Sequence, residues 1–170
     1  MASNQPTQAL NVVPSDTINI PEPDAYITGT SSSGTGTTIT DGSANFLGVN
    51  NPGNTGYSNR VAVGDVVYVI DGAAITIVRV TAITNNTNIV VSASVPGTKP
   101  YQIYRSNGDF KNVSEGFSLF VGGAGNIAVV PACSDQVVKL ENIPDSSFIP
   151  LQVKRVNSTD TTATKIIALR

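Results

Sequence analysis

Apolar and polar residues alternate with a period of two along much of this chain. Val66, Tyr68 and Ile70 interleave with Val67 and Val69, and the run ends at Asp71-Gly72. Ile75 and Ile77 then alternate with Thr76, Val78 and Val80, and Asn85-Asn86 follows. Ile89, Val91, Ala93 and Val95 share one parity up to Pro96-Gly97, before Tyr101, Ile103 and Arg105. Successive side chains of a strand point to opposite faces, so this period predicts half-buried strands. The Asp-Gly, Asn-Asn and Pro-Gly pairs predict the turns between them. Together they predict a compact antiparallel meander or small barrel over residues 25–106.

A second β pattern follows the polar connector Ser106–Glu115. Phe117, Leu119 and Val121 alternate up to Gly122-Gly123-Ala124-Gly125-Asn126, which reads as a hairpin tip, and Ile127–Val130 returns. Val138 and Leu140 oppose Lys139 and Glu141. Ile149, Leu151 and Val153 alternate with Gln152 and Lys154, and Ile166–Leu169 is the last predicted strand. Residues 1–23 differ from both regions. Pro6, Pro14, Pro21 and Pro23 forbid a helix, while Val12-Val13 and Ile18-Asn19-Ile20 carry short apolar pieces. They predict an extended arm that must lie on the body or on a neighbouring subunit. Thr28–Thr40, nearly pure Gly, Ser and Thr, fits either a flexible linker or an exposed hairpin. Phe46, Leu47 and Val49 lead into NNPGNTGYSN, a loop by its turn residues.

Composition agrees with the pattern. The 170 residues include 21 Val, 15 Ile and 18 Thr against 6 Leu. That balance favours strands over helices, because β-branched side chains are stiff at χ1. The predicted fold class is all-β: a compact antiparallel β-sandwich or barrel base (107–170), an extended N-terminal arm (1–23) and an inserted small β-domain (25–106). With no His in the chain, Ser-His and Cys-His nucleophile pairs and the usual zinc-water sites are unavailable. Cys133 stands alone, so no internal disulfide is possible, and a buried small hydrophobe is its expected role. No enzyme activity, cofactor or metal is expected.

The net charge of −2 resides almost entirely in Asp16 and Glu22; beyond them acids and bases balance. No basic face suggests nucleic acid, and no basic amphipathic segment or long apolar run suggests a membrane. The opening MASNQPTQAL lacks the features of a signal peptide, so synthesis in a cytoplasm is expected. The Gly122–Gly125 cluster lacks phosphate-loop spacing and a following helix. Carboxylates are spread singly, mostly in turns such as Asp41-Gly42 and Pro144-Asp145, where they stabilise the turn itself. Tyr57, Tyr68, Tyr101 and Tyr104 could form a sugar-binding platform, though two of them alternate in strands as core residues do.

The segments LFVGGAGN (Leu119–Asn126), PLQVKRV (Pro150–Val156) and TTATKIIAL (Thr161–Leu169) form a distinctive C-terminal series. This series resembles that of small β-proteins on the heads of tailed phages and related particles, including gene transfer agent head spike-base proteins. Val13-Pro14-Ser15-Asp16-Thr17 is similar to their N-terminal motif. The resemblance covers the arm and the last third of the chain, with residues 25–106 standing between them. It implies a virion structural protein on the capsid exterior, either a cement or decoration protein or a spike base. The implied partners are the major capsid protein and further copies of the chain, as a homotrimer ahead of a pentamer. Val12, Val13, Ile18 and Ile20 are then the candidate capsid or subunit contacts. The alternative is a host-surface or glycan-binding adhesin module of a tail fibre or spike, suggested by the tyrosines and the Thr-rich segment.

Overall fold

A computed structural model describes residues 6–23, 27–32, 36–48, 61–105 and 116–170. The strands, in chain order, are β1 Ala9–Asn11, β2 Ile27–Thr30, β3 Gly36–Thr40, β4 Val66–Asp71, β5 Ala74–Asn85 and β6 Asn88–Val95. They continue as β7 Pro100–Tyr104, β8 Phe117–Gly123, β9 Gly125–Pro131, β10 Val138–Ile143, β11 Ser147–Val156 and β12 Thr164–Leu169. The fold is all-β, with no helix among the described residues. The chain forms two compact units. One joins Met1–Pro23 to Gly108–Arg170; the other is Asp24–Asn107. The loop NNPGNTGYSN, Val49, Tyr57 and the connector Ser106–Glu115 lie outside the described residues.

In the inserted unit the strand order is β2-β7-β4-β5-β6-β3, every pair antiparallel. The turn chemistry acts as its dipeptides predict. Asp71 pairs with Ala74 across a two-residue loop, and Gly72 takes φ 61°, the signature of a type II′ turn. At the β5–β6 turn the Asn85 Oδ1 accepts from the Thr87 N–H at 2.9 Å and its hydroxyl at 3.1 Å. Strands β4 to β6 form a meander, and β7 returns to the far side of β4. Val67, Val69, Val78, Val80, Ile89 and Ile103 fill one core. Central β4 is buried on both faces: Val66 and Tyr68 are enclosed too, with the Tyr68 ring 4.9 Å from that of Tyr104.

The Thr-rich segment is neither a hairpin nor a linker where it is described, although residues 33–35 fall outside that description. Strands β2 and β3, consecutive in sequence, occupy opposite edges of the same sheet. The sheet curls until those edges approach, so the Ser32 N–H donates to the Thr40 carbonyl at 2.7 Å. Two edges that satisfy each other leave fewer open backbone groups, and Ile39 on β3 is driven into the core.

In the base unit the order is β1-β12-β8-β11-β9-β10. The expected hairpin at Gly122–Asn126 is absent. Only Ala124 separates β8 from β9, yet the two strands lie on opposite sides of β11. Phe148 pairs with Phe120 and Ile149 with Leu119 on one side; Arg155 pairs with Val130 and Val156 with Val129 on the other. The glycines serve close approach rather than a reversal. A Cβ on Gly125 (φ 153°) would sit 2.5 Å from the Ala163 nitrogen, and one on Gly123 would collide with the Thr164 hydroxyl. The alternation predicted for Ile149, Leu151 and Val153 also breaks. A register shift between Ile149 and Val153 turns Leu151 outward while its two neighbours in the pattern stay buried, as a bulge does.

The arm lies on the body of its own chain. Strand β1 adds to the edge of β12 through Ala9↔Leu169, Leu10↔Ala168 and Asn11↔Ile167. Beyond β1, the Val12 N–H donates to the Ile166 carbonyl, that of Ser15 to Val156 and that of Ile20 to Lys154, each at 2.9 Å.

Candidate assembly surface

Edge addition positions the arm, and side chains then seal it. Leu10, Ile18 and Ile20 are buried in the base unit, whereas Val12 and Val13 are half-buried. The four candidate contact residues thus separate into two kinds. Ile18 and Ile20 belong to the chain's own core, and the Val12-Val13 pair keeps some accessible surface.

Asp16, from the arm motif, fastens the arm to the loop before the C-terminal motif. Its carboxylate accepts from the Ser158 hydroxyl at 2.8 Å, the Thr159 N–H at 3.0 Å and the Thr159 hydroxyl at 2.9 Å. The Thr159 N–H, followed by the two hydroxyls, holds this carboxyl below its usual range, since hydrogen bonds to the charged form favour it. Glu22 adds an ion pair to Arg170 at 2.6 Å. Sequence pattern marks Asp16 as a motif residue but does not tell what it touches.

Apolar side chains remain exposed on the base: Val137, Val138, Phe148 and Leu151. Ile167, half-buried Phe120 and Phe148 stand opposite one another on β12, β8 and β11, and opposed residues share a sheet face. The alternating set Phe117, Leu119 and Val121 leaves out Phe120. An aromatic on the outward parity was the available signal.

The other candidates resolve into structure. Tyr68, Tyr101 and Tyr104 are buried, so they offer no open platform, and Tyr57 lies outside the described residues. Asp41 is buried as well. Its Oδ1 accepts from the Ser43 N–H (2.9 Å) and hydroxyl (2.6 Å), its Oδ2 from the Tyr101 hydroxyl (2.8 Å). Burial opposes ionisation of Asp41, but the bonds from Ser43 and Tyr101 outweigh it and hold the carboxyl low. Burial first, then the adjoining carboxylate, pushes the Tyr101 phenol well above its ordinary value. Asp71 pairs with Lys99 and Asp135 with Lys154, both at 2.7 Å. No cluster of metal-binding side chains occurs among the described residues. Cys133, expected to be buried, is exposed, because β9 ends at Pro131 and the thiol falls in the loop before β10.

No protein-family model, curated protein or solved structure matches the chain.

Proposed function

We propose that this protein is a virion structural protein that binds the outside of a tailed-phage capsid and decorates or stabilises it. The observation that carries this reading is the meeting of motif segments that lie far apart in sequence. Asp16 of the arm motif is bound by Ser158 and Thr159, next to the C-terminal motif. Gly123 and Gly125 of the LFVGGAGN segment abut Thr164 and the Thr162–Ala163 backbone. The residues that resemble phage head proteins thereby build one folded base, and they contribute packing and chain approach rather than reactive groups.

On this reading the base attaches to the major capsid protein and to further copies of the chain, while the inserted unit adds surface to the particle. A ligand that binds only the folded, assembled state stabilises it by mass action, which is how such a protein would secure a shell. The burial of three tyrosines removes much of the support for a glycan-binding adhesin.

The test is the copy number of this chain in purified particles, measured by quantitative mass spectrometry. Hundreds of copies are expected for decoration and a dozen or fewer for a vertex spike. Absence from the particle would refute the proposal.

A further inference from the structure

Strand β10 is an edge of the base sheet; among the described residues its neighbour in the sheet is β9 alone. Its sequence, Val138-Lys139-Leu140-Glu141-Asn142-Ile143, is largely exposed. An open edge presents backbone donors and acceptors that a further strand can use. Leu140 is flanked by a cation, Lys139, on one side and an anion, Glu141, on the other.

We propose that two copies of this chain pair through β10, antiparallel and about a two-fold axis at Leu140. An antiparallel self-pairing centred there places Leu140 opposite its counterpart, Lys139 opposite the second copy's residue 141 and Glu141 opposite its residue 139. Both cross-strand pairs then join opposite charges, the favourable arrangement for directly opposed residues. Val138 and Leu140 share the other face of the strand. Leu140 then meets its counterpart at the axis, and Val138 flanks it opposite residue 142 of the second copy. The axial pair thus matches apolar to apolar and the two flanking pairs match opposite charges, and this self-complementarity is what an isologous contact requires. An unrelated strand would satisfy the backbone but not this order of side chains.

The charged pair is free to be shared in this way. Lys139 contacts Glu141 of its own chain at 3.5 Å and Asp160 at 3.8 Å, loose exposed contacts that are worth little in water. The pairing is short. A register shift separates Leu140 from Ile143, Asn142 takes φ 54°, and its N–H is already bonded to the Asn126 side-chain oxygen at 3.0 Å. That bulge confines the contact to the region around Lys139–Glu141 and halts any growth into a longer sheet. The inference stands independently of the capsid reading.

The experiment measures oligomer mass of the full chain by light scattering and analytical ultracentrifugation. Wild-type protein is expected to dimerise, and more weakly as salt rises. Lys139→Glu and Glu141→Lys each set like charges against each other across the axis, so each variant alone should be monomeric. An equimolar mixture should recover dimers, because Lys139→Glu chains carry two acids at these positions and Glu141→Lys chains two bases. Circular dichroism and thermal unfolding establish that both variants fold. In a Cys133→Ser background, Leu140→Cys should form an intermolecular disulfide on mild oxidation, since opposed residues bring their Cα atoms to about 4.5–5.5 Å. Lys139→Cys, displaced from the axis, should not. A wild type that is monomeric or forms only odd-numbered rings overturns the proposal. So does a mixture that stays monomeric, or cross-linking that ignores position.

Discussion

The Tyr101 hydroxyl donates to Asp41 Oδ2 at 2.8 Å across the curled sheet of the inserted unit, and Gly29 on β2 lies beside both groups. The bond spans 60 positions of sequence and ties β7 to the residue that follows β3. It fastens the curled sheet where its two edges approach each other.

Replacing Tyr101 with Phe should therefore lower stability by about 1–3 kcal/mol, the cost of leaving a buried acceptor short of a partner. Loss of the donor should also raise the Asp41 carboxyl towards the ordinary carboxylate range. Denaturant unfolding gives the first quantity, and NMR titration of the Asp41 side chain gives the second.

Gly29→Ala places a Cβ against the Asp41 carboxylate and 2.5 Å from the Tyr101 hydroxyl oxygen, so overpacking should cost about 1–3 kcal/mol. In a Tyr101→Phe background that oxygen is gone, and the Asp41 carboxylate is no longer held in place by the hydroxyl. The Gly29→Ala penalty should shrink there, and a double-mutant cycle reads the coupling. Equal penalties in the two backgrounds would assign the cost to the Asp41 carboxylate and the aromatic ring instead of the hydroxyl.

Asp16 governs how firmly the arm is held. Its carboxyl is lower in the folded chain than in the unfolded one, so its stabilisation is complete above the ordinary carboxylate range. It is lost as pH falls through the folded value. Protection factors for hydrogen exchange at the arm amides, residues 9–20, should fall as pH drops below about 5 and on through the ordinary carboxylate range. Asp16→Asn should show faster exchange near neutrality and a flatter acid response.

Ile20 is only 5% exposed, so the arm contributes to the core of the isolated protein. Ile20→Ala should cost about 2–5 kcal/mol in thermal or denaturant unfolding. Val63→Ala, at an exposed turn position of the inserted unit, should change stability by no more than about 0.5 kcal/mol. If Ile20→Ala proved as harmless as that control, the arm would not be packed as described.

Cys133 should react with one equivalent of a thiol reagent in the folded protein without denaturant, because its side chain is exposed. Cys133→Ser should leave the unfolding midpoint nearly unchanged. Reaction only after unfolding would place the thiol inside.

The local features of this protein were legible in its sequence. Period-two runs identify most of its strands, and Asp71-Gly72 and Asn85-Asn86 mark turns because their conformations are set by residues within the turn. Proline spacing made the arm extended for the same reason. Sequence alone also limited the chemistry, since a chain without His cannot assemble the commonest nucleophile pairs. Tertiary structure decided which strands are neighbours. The glycines of LFVGGAGN suit a hairpin as well as a close crossing, and only the long β11, lying between β8 and β9, selects the crossing. Leu151 fits the inward parity until a bulge turns it outward. Asp16, Asp41 and Cys133 were each visible as residue types, but their surroundings come from segments distant in sequence. Strand pairing is a contest among remote partners for the same backbone hydrogen bonds, and a periodic pattern records that a strand wants a partner without recording which one it finds.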